Sequence, residues 1–431
     1  MTISPRPSRE SAFSRRSFLS LAGASAGAVL LGACGDDDGS SSDTVDFWNI
    51  GTADPLKTIW PQMAKDFEDE TGTKVKLTSM ENEAFKAKLT TVTQSGEAPH
   101  IFHSWGGGVL KEQLDAGLLL DLSDEAWLST FTTTSLSPYE IDGKTYGIPF
   151  DLGMVTFWYN KELFSQAGIT APPTTWTEFL GTVDKLKTAG VTPIALAGQD
   201  KWPAHFYWSY LAMRLGGSAL FSSALKDKDF NKSEFVRAGE LMKELVALEP
   251  FQKGFLGAKY DTPDGQAAAV GNGDAAMELM GQWAPSTQGS TAADKKGLGD
   301  KLGLFPFPTV AGGKGKTTDA FGGGNGHAVG VDAPRAAVDF LKFISKIDNQ
   351  RTLAASGAVL PVVTGAEDAI EDPNQAKLAE YLASATDFQL YLDQAFPPAI
   401  GTQVNDSVAE LVAGTATPEQ VTEAITATAG R

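Results

Sequence analysis

Cysteine and histidine are nearly missing from this chain: one Cys and four His in 431 residues. A lone cysteine, Cys34, cannot form an intrachain disulfide, and its place at the end of an apolar segment leaves no thiol for catalysis further along. His100 and His103 stand two apart in an extended run, where alternation sends them to opposite faces, unlike the paired ligands of a metal site. No G-x-S-x-G elbow is present. Two glycine clusters, Gly106–Gly108 and Gly322–Gly326, lack the Lys-Ser/Thr that completes a phosphate loop. Basic charge is also short, with 35 Lys and Arg against 53 Asp and Glu and a net charge of −18. Residues 1–33 contribute +3, leaving −21 on the rest, a poor match to nucleic acid or an anionic lipid surface. Beyond the first 34 residues no run is long and apolar enough to span a bilayer, and no internal repeat of fixed period is found.

The beginning of the chain is more telling. The apolar run from Phe18 to Ala33 is too short and too rich in Gly, Ala and Ser for a spanning helix, which needs roughly 20 strongly apolar residues. A basic segment, a short apolar core and a small-residue site describe an export signal. Arg15 and Arg16 in SRRSFL resemble a twin-arginine export motif. LGAC, ending at Cys34, resembles a bacterial lipobox, which implies an acylated Cys34 and a protein tethered to the outer face of the cell membrane. Residues 34–43 then read as a flexible acidic Gly/Ser tether.

From Thr44 the pattern alternates. TVDFWNI and KVKLTSM read as strands, and Leu56, Ile59, Trp60, Met63 and Phe67 recur at helical spacing between them. With PHIFHSW as a third strand, the β-α-β-α-β order predicts a mainly parallel sheet with helices on both faces. About 400 residues after the signal exceed one core, so two α/β lobes are expected. Ligands in such sheets bind beyond the carboxyl ends of the strands, where Asn49, Glu83 and Trp105 fall. Thr175 and Glu178 have capping-box spacing, and the tail after Pro361 reads as mostly helical.

The aromatic residues carry the functional signal. Trp105, Trp202, Tyr207, Trp208 and Trp283 fall in loops, at helix starts or in Gly/Pro-flanked turns, whereas Trp60 and Trp176 lie on periodic core faces. An aromatic at a loop end presents a flat apolar face with a polar edge. That face suits the C–H face of a sugar ring, whose hydroxyls call for carboxylate, amide or imidazole partners. Asp151 and Glu83 are the carboxylates a glycosidase would pair across a glycosidic bond. The glycine clusters read as tight turns needing positive φ, or as places where backbone approaches a ligand closely.

VDFWN, SGEAPHIFHSWGGG, GKTYGIPFD, FWYNKELFSQAGI, PTTWTEF, PIALAGQDKWP and GDAAMELMGQWA, together with the lipobox, resemble in the same order the family 1 extracellular solute-binding proteins. These are sugar-binding lipoproteins of bacterial ABC importers. The resemblance implies a two-lobed periplasmic-binding-protein-like fold with discontinuous lobes that closes on an oligosaccharide of disaccharide size, of xylo- or chito-type, and delivers it to ABC permease subunits. It implies lobe 1 over 44–150 plus 284–331 and lobe 2 over 151–283 plus 332–431. The crossings would lie near Phe150–Met154, Met280–Pro285 and Val331–Ala333. Trp283 of GQWA matches the family's stacking tryptophan, and Asp151 and Trp105 match usual contacts. Asn49, Glu83, Trp202, His205, Trp208, Gly323 and Gly324 are looser assignments. The expectation is a monomer without catalytic residues, metal or cofactor. A secreted glycoside hydrolase and a receptor for a non-sugar solute are the alternatives.

Overall fold

The computed structural model describes residues 44–96 and 98–431. The export signal with Arg15 and Arg16, the acylated Cys34 and the tether expected before Thr44 lie outside the described residues. The first sheet has the strand order Lys74–Ser79, Thr44–Asn49, Ile101–Ser104, Gly326–Val329, Gly147–Pro149. Its first three strands are parallel, with Phe47 opposite both Leu77 and Ile101. Gly326–Val329 lies antiparallel between Ile101–Ser104 and the edge strand Gly147–Pro149. Helix Leu56–Thr71 lays Trp60, Met63, Ala64 and Phe67 on this sheet, the spacing of one helical face.

A second sheet has the order Leu302–Phe305, Thr156–Asn160, Ala275–Met280, Thr192–Ile194. Helix Trp176–Thr188 packs in its lobe through Trp176, Phe179, Val183 and Leu186, and its start carries the capping box of Thr175 and Glu178. A three-stranded sheet of Asp387–Leu390, Asp319–Gly323 and Gly153–Met154 stands where the chain passes between the lobes.

The apolar cores show which segment belongs where. Phe150 and Leu152 join the first core, whereas Met154 and Val155 join the second. The segment after Trp283 was expected to return to lobe 1, and it does not. Leu302–Phe305 pairs antiparallel with Thr156–Asn160, and Ala284, Leu304, Phe307 and Phe321 are buried in the second core. The return comes 40 residues later, within the glycine cluster itself: Asp319–Gly323 and Gly326–Val329 belong to different sheets. The crossing expected at Val331–Ala333 is likewise absent, because helix Arg335–Ile344 buries Ala337, Val338, Phe340 and Leu341 in the first core. The first core runs on to Val362 and Val363, and Leu378 belongs to the second.

One buried carboxyl in the second lobe makes stability depend on pH. Glu278 is fully buried and accepts hydrogen bonds from Gln266 Nε2 at 2.8 Å and Gln288 Nε2 at 2.6 Å. Burial pushes its pKa up to about 7, against the pull of the two amides. The folded state therefore keeps a proton that the unfolded chain releases. This contribution is full below the ordinary glutamate range and is lost as pH rises through about 7, a change of roughly 3 kcal/mol. Melting curves of Glu278→Gln and the wild type between pH 5 and 8 should show the difference moving in favour of the variant as pH rises. Parallel curves would assign the pH dependence elsewhere.

Candidate functional site

A cavity of about 190 Å³ opens between the lobes. The first lobe supplies the loop Ile50–Leu56 after its first strand, Asn82 and Lys86 from the helix after its second, and Trp105 after its third. All three places follow the carboxyl ends of parallel strands, where such sheets leave backbone groups and loops free to meet a ligand. The second lobe supplies an aromatic wall of Trp202, Phe206, Tyr260, Trp283 and Tyr391.

That wall is assembled from four separate stretches. Trp283 caps the start of helix Ala284–Thr291, two residues after the turn at Gly281. A Cβ at Gly281 would collide with the Trp283 ring, so the glycine gives the indole its seat. Trp283 meets Trp202 at a centroid separation of 6.4 Å and Tyr391 at 6.3 Å, both at 62°. Phe206 stacks on Tyr391 at 5.2 Å and 22°. Trp202 and Trp283 are half-buried, keeping ring surface open to the cavity. Such faces take the C–H side of a ring-shaped ligand and leave its polar rim to other groups.

The charged groups are mostly acidic. Asp54, Asp151, Asp261 and Asp393 line the cavity, with Lys86 as the one cation among the described residues. Tyr391 Oη and Gln394 Oε1 are buried there without a hydrogen-bond partner in the described residues. Buried polar atoms are nearly always paired, and these two stand beside the cavity without a partner. Asp151 is already engaged. Its Oδ1 accepts from Asn325 N–H at 2.8 Å, and its Oδ2 accepts from Asn325 Nδ2 and Gln282 Nε2, each at 2.9 Å. Burial pushes its pKa up to about 6 despite these three donors. Asp151 thus ties together the two adjacent strand crossings.

Of the residues singled out in the sequence, Trp105, Asp151, Trp202 and Trp283 line the cavity. The others do not. Trp208 is fully buried and stacks on Phe235 at 5.2 Å and 17°; its helix Trp202–Gly216 is apolar nearly all round, so looping context misreads it as an open face. Tyr207 is buried on the same helix. His205 is buried behind the wall against Phe206, and burial holds its pKa down to about 4. Asn49 Oδ1 accepts from Gly51 N–H and Ser79 Oγ, both at 2.9 Å, so it shapes the Ile50–Leu56 loop from beneath. Glu83 lies exposed on the first turn of its helix. Gly323 and Gly324 admit close approach by the protein itself: a Cβ at Gly323 would meet the Tyr391 ring at 2.5 Å, and one at Gly324 the Asp151 carbonyl oxygen.

Residues that the sequence did not bring forward are Lys86, Tyr260, Asp261, Tyr391, Asp393 and Gln394. Tyr260 and Asp261 sit in an irregular loop, and Tyr391–Gln394 in a tail with no motif. The one available signal is the clustering of Tyr391, Asp393 and Gln394 within four residues.

The model of the family described as bacterial extracellular solute-binding protein matches residues 53–351. The chain belongs to the bacterial extracellular solute-binding proteins. Among relatives of this solute-binding protein, the multiple sugar-binding protein of Streptococcus mutans is 27% identical over 306 residues, 68% of this chain and 69% of its own. Diacetylchitobiose binding protein DasA of Streptomyces coelicolor is 27% identical over 370 residues, 80% and 82% of the two chains. Among solved structures, a chitin oligosaccharide binding protein superposes with a TM-score of 0.82 at 27% identity, covering 90% of this solute-binding protein and 98% of its own chain. A structure from work on xylan utilization by Caldanaerobius polysaccharolyticus gives 0.81 at 28% identity, covering 89% and 99%. The two-lobed α/β architecture is that of its family.

Proposed function

We propose that this solute-binding protein captures a neutral oligosaccharide of about disaccharide size in the inter-lobe cavity and releases it, unchanged, to the permease of an ABC importer. The observation that carries this reading is the wall of Trp202, Trp283 and Tyr391 lining one cavity together with four carboxylates. Trp283 and Trp202 are the stacking surfaces. Tyr391, Gln394 and Asp151 meet hydroxyls, and an analogue lacking a hydroxyl would leave one of these contacts unmade. The relatives named for sugars, and the neighbours associated with chitin oligosaccharides and xylan, support a sugar and favour chito- or xylo-type ligands. Export by the twin-arginine route, anchoring at Cys34 on the outer face of the membrane and action as a monomer belong to the same reading.

A thermal-shift screen of the purified protein against chito-, xylo-, cello-, malto- and galacto-oligosaccharides tests it. Ligand at about a hundred times its Kd stabilises the folded state by roughly 2.7 kcal/mol, which raises Tm by several degrees. One series should do so, and the sugar should be recovered intact. Cleaved sugar would make the protein a glycosidase, and a flat panel would move the ligand outside the glycans.

A further inference from the structure

Lys86 does more than line the cavity. Its helix, Asn82–Ser95, belongs to the first lobe through Phe85 and Leu89. The ammonium reaches across to Asp393 of the second lobe at 3.0 Å, stands 3.7 Å from Glu83, and lies over the Trp105 ring at 5.4 Å from its centroid. Asp393 is anchored by its neighbours Leu392 and Phe396 in the second core, and its side chain is only 8% exposed. Its other polar neighbours are Asn405, whose Nδ2 donates at 3.3 Å, and His205, which burial keeps uncharged at neutral pH. Among the described residues Lys86 is therefore the counter-charge of this buried carboxylate.

Two more contacts span the same gap. Thr52 Oγ1 donates to Asp261 at 3.2 Å, and Lys259 pairs with Glu81 at 2.8 Å. The Lys259–Glu81 pair is well exposed, so water and salt weaken it. The Lys86–Asp393 pair is largely shielded, and parting it leaves the Asp393 carboxylate without its counter-charge. The same short segment of the second lobe meets the first-lobe glycine cluster. A Cβ at Gly107 would come within 2.8 Å of the Gln394 carbonyl oxygen, and one at Gly108 would strike the Phe396 backbone. This cluster therefore serves contact between lobes rather than contact with a phosphate or a sugar.

We infer that Lys86 is a positioning residue for closure: its pairing with Asp393 couples Trp105 and the ligand space to the approach of the lobes and slows their reopening. The inference takes its ligand from the sugar-receptor reading, but its geometry is independent of that reading. The test places spin labels on exposed helices of the two lobes, at Lys111→Cys and Lys243→Cys, and measures the inter-lobe distance distribution with and without the sugar. Lys86→Met and Asp393→Asn should each lower the short-distance population roughly threefold, and the double variant should fall no further than either alone. With sugar, the dissociation rate should rise roughly tenfold while the association rate stays within about twofold. Distance distributions that superpose on the wild type, or effects that simply add in the double variant, would overturn the inference. If the wild type binds no sugar, the receptor reading falls, and the ligand-free distances still decide the role of Lys86.

Discussion

Replacing Trp283 with alanine is expected to weaken sugar binding by on the order of 1–3 kcal/mol while the protein stays folded. The indole is half-buried and rests at the edge of the second core, with Trp202 and Tyr391 beside it and Gly281 beneath it. Its removal opens space at a solvent-facing wall rather than a void within the lobe, so Tm without ligand should fall only slightly. Affinity should fall much more, because one face of the stack is gone. Trp202→Ala should act in the same direction, and Trp208→Ala should not: Trp208 is sealed against Phe235, and its loss is a core cavity that lowers Tm. Calorimetric titration of the three variants checks this ordering. Unchanged affinity in a folded Trp283→Ala protein would remove Trp283 from the site.

The second large effect belongs to Asp151. Asp151→Ala leaves Gln282 Nε2, Asn325 N–H and Asn325 Nδ2 without their acceptor, each beside the passage of the chain between lobes. A buried donor left unpaired costs about 1–3 kcal/mol. Even with partial rescue by water the variant should lose about 3 kcal/mol of stability, a Tm drop of several degrees. Sugar affinity should fall as well, because Asn325 and Gln282 no longer hold the hinge strands in register. Asp151→Asn should lie between the two, keeping one acceptor oxygen and turning an N–H toward existing donors. A wild-type Tm in Asp151→Ala would mean that the three donors find other partners and that Asp151 is not the tie it is taken to be here.

What could be read from the sequence follows from how local its causes are. The capping box at Thr175 and Glu178 is a contact between neighbours, and it stands in the structure as spaced. The alternation from Thr44 to Trp105 is local too, and the first three strands are parallel as it implies. The course of the lobes was not legible in the same way. Whether Leu302–Phe305 stays in the second lobe depends on its pairing with Thr156–Asn160, about 145 residues away, and no local pattern records that partner. The glycines at 322–326 were legible as a special backbone but not as the crossing itself, since no local pattern marks the change from one sheet to the other. At the site, Trp105, Trp202 and Trp283 stood out because aromatic residues at element ends have no periodic face to fill. Tyr391, Asp393 and Gln394 did not, because their tail carries no motif, and their place opposite Trp105 and Lys86 exists only once both lobes are folded.

The measurement that tests the central claim most directly is a calorimetric titration of the purified protein with the sugar that stabilises it, followed by analysis of that sugar. A single site with saturable heat, a Kd raised in Trp283→Ala by the factor that about 1–3 kcal/mol implies, and sugar recovered uncleaved are the results expected. An unchanged Kd in the Trp283→Ala protein, or shortened sugar in the cell, would contradict a receptor that holds its ligand on this wall.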